Sequence, residues 1–166
     1  MENKDVLDII ESEKKGDAKE VAEEENMIKF LIFRIADHKY ALYAEDVREI
    51  VIDSPLFYVP FVPPYIRGFI NRHGEPYTVF DLHVLFEQEK LDSSTYLILN
   101  NNQDQVSFII SDVVEITNMG ENSIHPITSQ DSTEIYFAES IAMDSEQIAL
   151  VNIPSIMEKL KNDIES

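Results

Sequence analysis

The side chains able to move protons near neutral pH are four histidines, His38, His73, His83 and His125. No two of them stand one helical turn apart, and the chain has no cysteine to complete a zinc-finger set. A metal centre needs at least three convergent ligands, so no metal site is expected. The lack of cysteine also removes disulfides, iron–sulfur clusters and thiolate nucleophiles, and it suits a reducing compartment. Only Gly16, Gly68, Gly74 and Gly120 are glycines, so neither a phosphate-cradling loop nor a Gly-x-Ser-x-Gly elbow is present. Carboxylates are abundant, with thirty-two Asp and Glu. In so acidic a chain their proximity singles out no acid–base pair. The expectation is a protein without catalysis and without a cofactor.

Charge narrows the partners. Thirteen Lys and Arg against thirty-two acids leave −19, which repels phosphate backbones and anionic lipid alike. Residues 27–166 hold nine bases against twenty-two acids (9 − 22 = −13), which leaves no basic groove for stacking nucleotides. A barrel that binds a peptide or a helix stays open, and nucleic acid does not. No apolar run approaches the roughly 20 residues needed to cross a bilayer, and the N-terminus does not read as a secretion signal. The protein is expected to be cytoplasmic, without direct membrane insertion.

The elements that would position any site are mostly strands. Residues 1–26 carry ten acids and four lysines (a net of −6) and read as an acidic arm, disordered or helical in part. Within it Val6, Leu7, Ile9 and Ile10 form an apolar cluster able to dock on a partner. From Met27 to Ser166 the composition is that of a β domain. Runs 28–35 and 39–43 flank Asp37-His38 and predict a hairpin. In residues 44–51 Val47, Ile50 and Val51 recur at three and four, which predicts a helical turn leading into a strand, with Val47 and Ile50 in the core. Pro55, Pro60, Pro63 and Pro64 forbid a helix or central strand and predict an ordered connector. Runs 65–72 and 75–80 form a second hairpin about His73-Gly74, where glycine allows a positive φ. Asp81 caps a short helix carrying Leu82, Leu85 and Phe86, followed by a connector over 87–94. Strands are expected over 95–99, 106–116 and 148–153, with a turn at Asn100-Asn101-Asn102 and a further strand within 135–143. Pro154 opens a closing helix whose apolar face is Ile156, Met157 and Leu160, with Ile164 at its far end.

Taken in order, Leu31-Ile32-Phe33-Arg34-Ile35, Tyr40-Ala41-Leu42, Val47-Arg48-Glu49-Ile50, Ile66-Arg67-Gly68-Phe69-Ile70-Asn71, Gly74 and Phe80-Asp81-Leu82 resemble the CheW chemotaxis coupling proteins. The likeness continues through residues 108–116 and through Ala149-Leu150-Val151-Asn152-Ile153, and covers about 28–160. No single motif is specific, whereas the ordered set is. The resemblance implies a mainly β fold of two intertwined five-stranded SH3-like barrels with short helices. It implies a non-catalytic adaptor that couples the cytoplasmic tips of methyl-accepting chemoreceptors to the regulatory domain of a CheA-type histidine kinase, recruited to membrane-associated receptor arrays. The alternative is a divergent module of the same fold that binds a peptide or helix in another signalling or motility system. By position, Val47 and Glu49 match the family's kinase-facing residues, and Asn71, Arg72, His73 and Gly74 match its Asn-Leu-Arg-Gly signalling loop.

The sequence departs from the family at identifiable places. His73 stands where the family has Arg, and Arg72 where it has Leu. The expected Pro falls at Thr78, with Pro76 nearby. Ser111 replaces an Asp, with Asp112 beside it, and Glu139 replaces a Gly. Arginine presents a planar, permanently charged fork that histidine lacks. Arg72 is the candidate to compensate, although adjacent strand residues face opposite sides. Arg67 and Gly68 are read as serving turn geometry and surface packing.

Overall fold

A computed structural model describes residues 26–100, 104–127 and 135–165. Apart from Asn26, the segment expected as an arm lies outside the described residues, as does most of the expected Asn100-Asn101-Asn102 turn. The strands are β1 (Met27–Ile35), β2 (His38–Tyr43), β3 (Val47–Ile52), β4 (Ile66–Arg72), β5 (Glu75–Phe80), β6 (Thr95–Leu99), β7 (Val106–Ile110), β8 (Asp112–Gly120), β9 (Ile124–Pro126), β10 (Phe137–Met143) and β11 (Glu146–Val151). Among the described residues two α-helices accompany them, α1 (Leu82–Leu85) and α2 (Ile153–Glu165).

The strands make two sheets, matching the expected pair of SH3-like barrels. The first runs β8-β1-β2-β11-β10-β9 and the second β3-β6-β7-β5-β4. The first counts six strands because the three-residue β9 adds to β10. The second barrel is thus inserted whole between β2 and β8, and the first closes only when both ends of the chain meet. The parallel register Ala149↔Tyr40 between β11 and β2 joins those ends.

Strand β1 explains why the two barrels share a core. Its alternation sends Phe30 and Ile32 into the first barrel, where Ala41, Ile141, Ile148 and Leu150 pack on them. The intervening Leu31, Phe33 and Ile35 face the second barrel and join its cluster with Leu42, Phe80 and Phe108. A strand covered on both faces reads as an unbroken apolar run, as 30–33 does.

Several local expectations shift. The first turn is Ala36-Asp37, one residue earlier than Asp37-His38, with Ala36 at φ 57°. A positive first angle suits the mirror-image turns whose twist matches a hairpin. The run 106–116 is two strands broken at Ser111, because β7 belongs to the second barrel and β8 to the first. The helical turn before β3 exists as a 3₁₀ turn over Ala44–Asp46, and all of Val47, Ile50 and Val51 lie in the strand. Strand alternation then leaves Ile50 37% exposed, not in the core. The last strand stops at Val151, so that Asn152 accepts from the Ser155 amide and Ile153 opens α2. Ile156 is fully buried and Met157 and Leu160 pack on the core, while Ile164 is 64% exposed.

The hairpin about His73-Gly74 forms as predicted, in register Arg72↔Glu75. Both turn residues have positive φ, 55° and 81°, the pattern of a two-residue type I′ turn. The proline connector holds no strand, yet it is tied down. Phe57 exchanges two backbone hydrogen bonds with Phe69 at 2.8 and 2.9 Å, and their rings stack with centroids 5.3 Å apart.

Candidate functional site

The sequence-selected residues converge where the second barrel closes. Strands β3 and β4 are the two ends of its sheet, and among the described residues no ladder joins them. A side-chain pair spans the seam instead. The Arg72 guanidinium donates through Nε to Glu49 Oε2 at 2.8 Å, and its Nη2 donates to the same oxygen. Alternation explains the meeting: Glu49 shares its strand face with Val47 and the buried Val51, and Arg72 shares its own with the buried Ile70. Both therefore point toward the barrel mouth, half-buried, and Arg72 reaches the carboxylate directly although it precedes the turn position.

That hydrogen bond holds the Glu49 carboxyl below its ordinary range. Burial opposes it, and the charges of Arg72, His73 and Arg48 add to it. The same bond raises Arg72. A carboxylate with a depressed folded-state value stabilises the fold above its unfolded value near 4.5, and the contribution is lost as pH falls through the folded value. The stability difference between wild type and Glu49→Gln should be full at neutral pH and shrink below pH 4.5, read as urea midpoints. A difference that does not change with pH would show that charge is not what Arg72 holds.

Beside the pair, Arg48 donates to the Tyr77 hydroxyl at 2.6 Å and lies 5.8 Å from that ring's centroid. Val47 packs on the second barrel's core, while Asn71, His73 and Gly74 are exposed at the hairpin tip. Glu49, Arg72 and His73 are thus brought together, and Asn71 and Gly74 serve the exposed turn beside them.

Three polar groups were misread or missed in the sequence. Arg67 is no surface-packing residue. It donates to Asp81 Oδ2 at 2.8 Å and to the Leu91 carbonyl at 2.9 Å, and Asp81 is fully buried. Ser111 accepts from the Ala36 amide at 2.8 Å, and Asp112 takes a two-pronged contact from Arg34, both prongs 3.1 Å. Glu139 accepts from the Tyr43 hydroxyl at 3.0 Å, and burial first, then this carboxylate, push that hydroxyl up to about 12. A charged residue in an otherwise apolar strand was the available signal for Arg34, Arg67 and Glu139.

His38 opens β2, His125 lies in β9, and His83 Nδ1 stands 2.8 Å from the Glu89 carbonyl. Among the described residues no three His, Cys, Asp or Glu side chains are placed to share a metal ion, and no helix is long and apolar enough to cross a membrane.

Comparison with known proteins adds the following. The model of the CheW-like domain family matches residues 29–161. The chemotaxis protein CheW of Helicobacter pylori is 28% identical over 162 residues, covering 94% of this chain and 96% of its own. The chemotaxis protein CheW of Bacillus subtilis is 24% identical over 136 residues, covering 79% and 87%. Among solved structures, the scaffolding protein TtCheW of Thermoanaerobacter tengcongensis superposes with a TM-score of 0.68 at 27% identity, over 76% of this chain and 89% of that one.

Proposed function

The chain belongs to the CheW-like domain family, and from that premise we propose that it is a non-catalytic scaffold coupling chemoreceptor tips to the regulatory domain of a CheA-type histidine kinase. The observation that carries the reading is the family match over residues 29–161, which spans both barrels. The names of the relatives, a chemotaxis protein and a scaffolding protein, support it. Such a protein works by geometry. Holding kinase and receptor in one register raises their effective concentration without making or breaking a bond.

In this reading Val47 and Glu49 form the kinase-facing edge, and residues 71–74 form the signalling loop next to it. Arg72 takes over the carboxylate contact that His73, exposed at a turn with positive φ, does not make. That substitution within the hairpin favours ordinary coupling over service in an unrelated system. Residues 1–26 act as an appendage to a scaffold formed by residues 27–166.

Calorimetric titration against the CheA regulatory domain of the same organism, with a receptor-tip fragment in a second cell, tests the proposal. Binding to the kinase domain is expected in the micromolar range, about −8 kcal/mol. Glu49→Lys sets a third cation against Arg72 and Arg48, and should weaken that binding at least about tenfold, or 1.4 kcal/mol, with the circular dichroism spectrum retained. Unchanged binding would remove Glu49 from the contact face. Silence in both cells would overturn the coupling role.

A further inference from the structure

The proline connector carries an aromatic surface that neither barrel requires. Phe61 is fully exposed at 102% and Tyr58 is 80% exposed, while Phe57 is 46% exposed above Phe69. Phe61 also has φ 61°, a conformation that a bulky L-residue adopts only under constraint. The folded chain thus holds an apolar ring in water on a strained backbone. The segment is pinned at both ends: besides the Phe57–Phe69 bonds, the Ile66 amide donates to the Pro63 carbonyl at 2.9 Å and the Asp81 amide to the Tyr65 carbonyl at 2.7 Å. A preformed surface loses little entropy on docking.

Next to these rings lies an open cavity of about 380 Å³, walled by Leu56, Val59, Val62 and Pro63 and edged by Arg67 and Lys90. Arg67 is committed to Asp81, whereas Lys90 has no ion-pair partner among the described residues. No acid occurs between Asp53 and Glu75, the longest acid-free stretch of the chain. The two larger surface cavities are lined partly by carboxylates, Asp37 and Glu89 in one, and Asp104, Glu158 and Glu165 outnumbering Lys161 in the other. A negatively charged apolar segment is repelled from those and least opposed here.

The chain contains such a segment. Val6, Leu7, Ile9 and Ile10 are interleaved with and flanked by Asp5, Asp8 and Glu11. We propose that the connector surface is the docking site of this chain's own residues 5–11, their apolar side chains covering Phe61 and filling the adjoining cavity while their carboxylates meet Lys90. From Ile10 to Asn26 the tether spans up to about 50 Å when extended. A domain of this size has a radius of gyration of about 14 Å, so every face is within reach. Such a tether supplies an effective concentration near the millimolar range, enough for a contact too weak to form between free molecules. The proposal is independent of the coupling role.

The absence of cysteine allows one label at one place. In the full chain, Ser12→Cys carrying a nitroxide should extinguish the nuclear magnetic resonance signals of residues 56–66 selectively, equally at low and high protein concentration. Phe61→Gly suits the left-handed backbone and keeps the fold while removing the ring. In that background, and in Lys90→Glu, the connector signals should return. Quenching centred on any other face would overturn the proposal. So would quenching that grows with concentration, because the occupant would then be a second copy.

Discussion

Gly68→Ala is expected to cost at least about 4 kcal/mol, close to the whole stability of a marginal domain. A Cβ at this position would stand 2.0 Å from the Phe57 carbonyl oxygen, 2.9 Å from its carbon and 3.3 Å from Tyr58 Cα, all of them backbone. The φ of 137° is one that only glycine adopts without strain. The connector cannot move aside cheaply, because Phe57 holds Phe69, the next residue along β4, by two hydrogen bonds. The urea midpoint should collapse, with loss of the Phe57–Phe69 ring contact in nuclear magnetic resonance spectra. A loss under about 1 kcal/mol would mean that the connector is free to lift away from β4.

Arg67→Ala should be nearly as damaging. It leaves the Asp81 carboxylate, which has no solvent exposure, without its counter-ion, and breaking one side of a buried pair typically costs about 3–5 kcal/mol. Asp81 does more than balance charge. Its Oδ1 accepts from the amides of His83 at 3.0 Å and Val84 at 3.3 Å, and its Oδ2 accepts from the Leu91 amide at 2.9 Å as well as from Arg67. One side chain thus caps α1, fastens the loop after it and anchors β4. Asp81→Ala should cost a similar amount, and the double variant much less than the sum, since each change removes the penalty left by the other. Additive losses in a double-mutant cycle would show that the two side chains act independently.

The hairpin at His73-Gly74 was legible because its signal is local: two strand-like runs around a residue pair that accepts positive φ. The Asp81 cap was legible for the same reason. Glu49 and Arg72 were each selected, but their pairing was not, because it depends on β3 and β4 being the two ends of one rolled sheet. The spacing of Val47, Ile50 and Val51 fits a helix and a strand about equally, and only the β6 ladder, in register Ile50↔Leu97, decides for the strand and exposes Ile50. The break at Ser111 carries only the polar pair Ser111-Asp112 as a signal, too short to override the β-branched runs on either side, and the reason for it is that the chain changes barrels there. Arg67 looked like a surface residue because its partner lies 14 positions away and buries itself only when α1 docks.

The insertion of one barrel inside the other sets the order in which a ribosome can complete them. The barrel of β3–β7 has all its strands once residue 110 has emerged, and can close while synthesis continues. Strands β1 and β2 must wait, because β8 and β11, which flank them, are made last. During that interval β1 has β2 along one edge but lacks its β8 ladder along the other, and Phe30 and Ile32 lack the Ile141, Ile148 and Leu150 that cover them, the kind of exposed apolar edge that draws nascent chains into aggregates. The ten acids before Met27 leave the exit tunnel just ahead of it. With four lysines among them they leave a net of −6, and like-charge repulsion between nascent chains opposes their association.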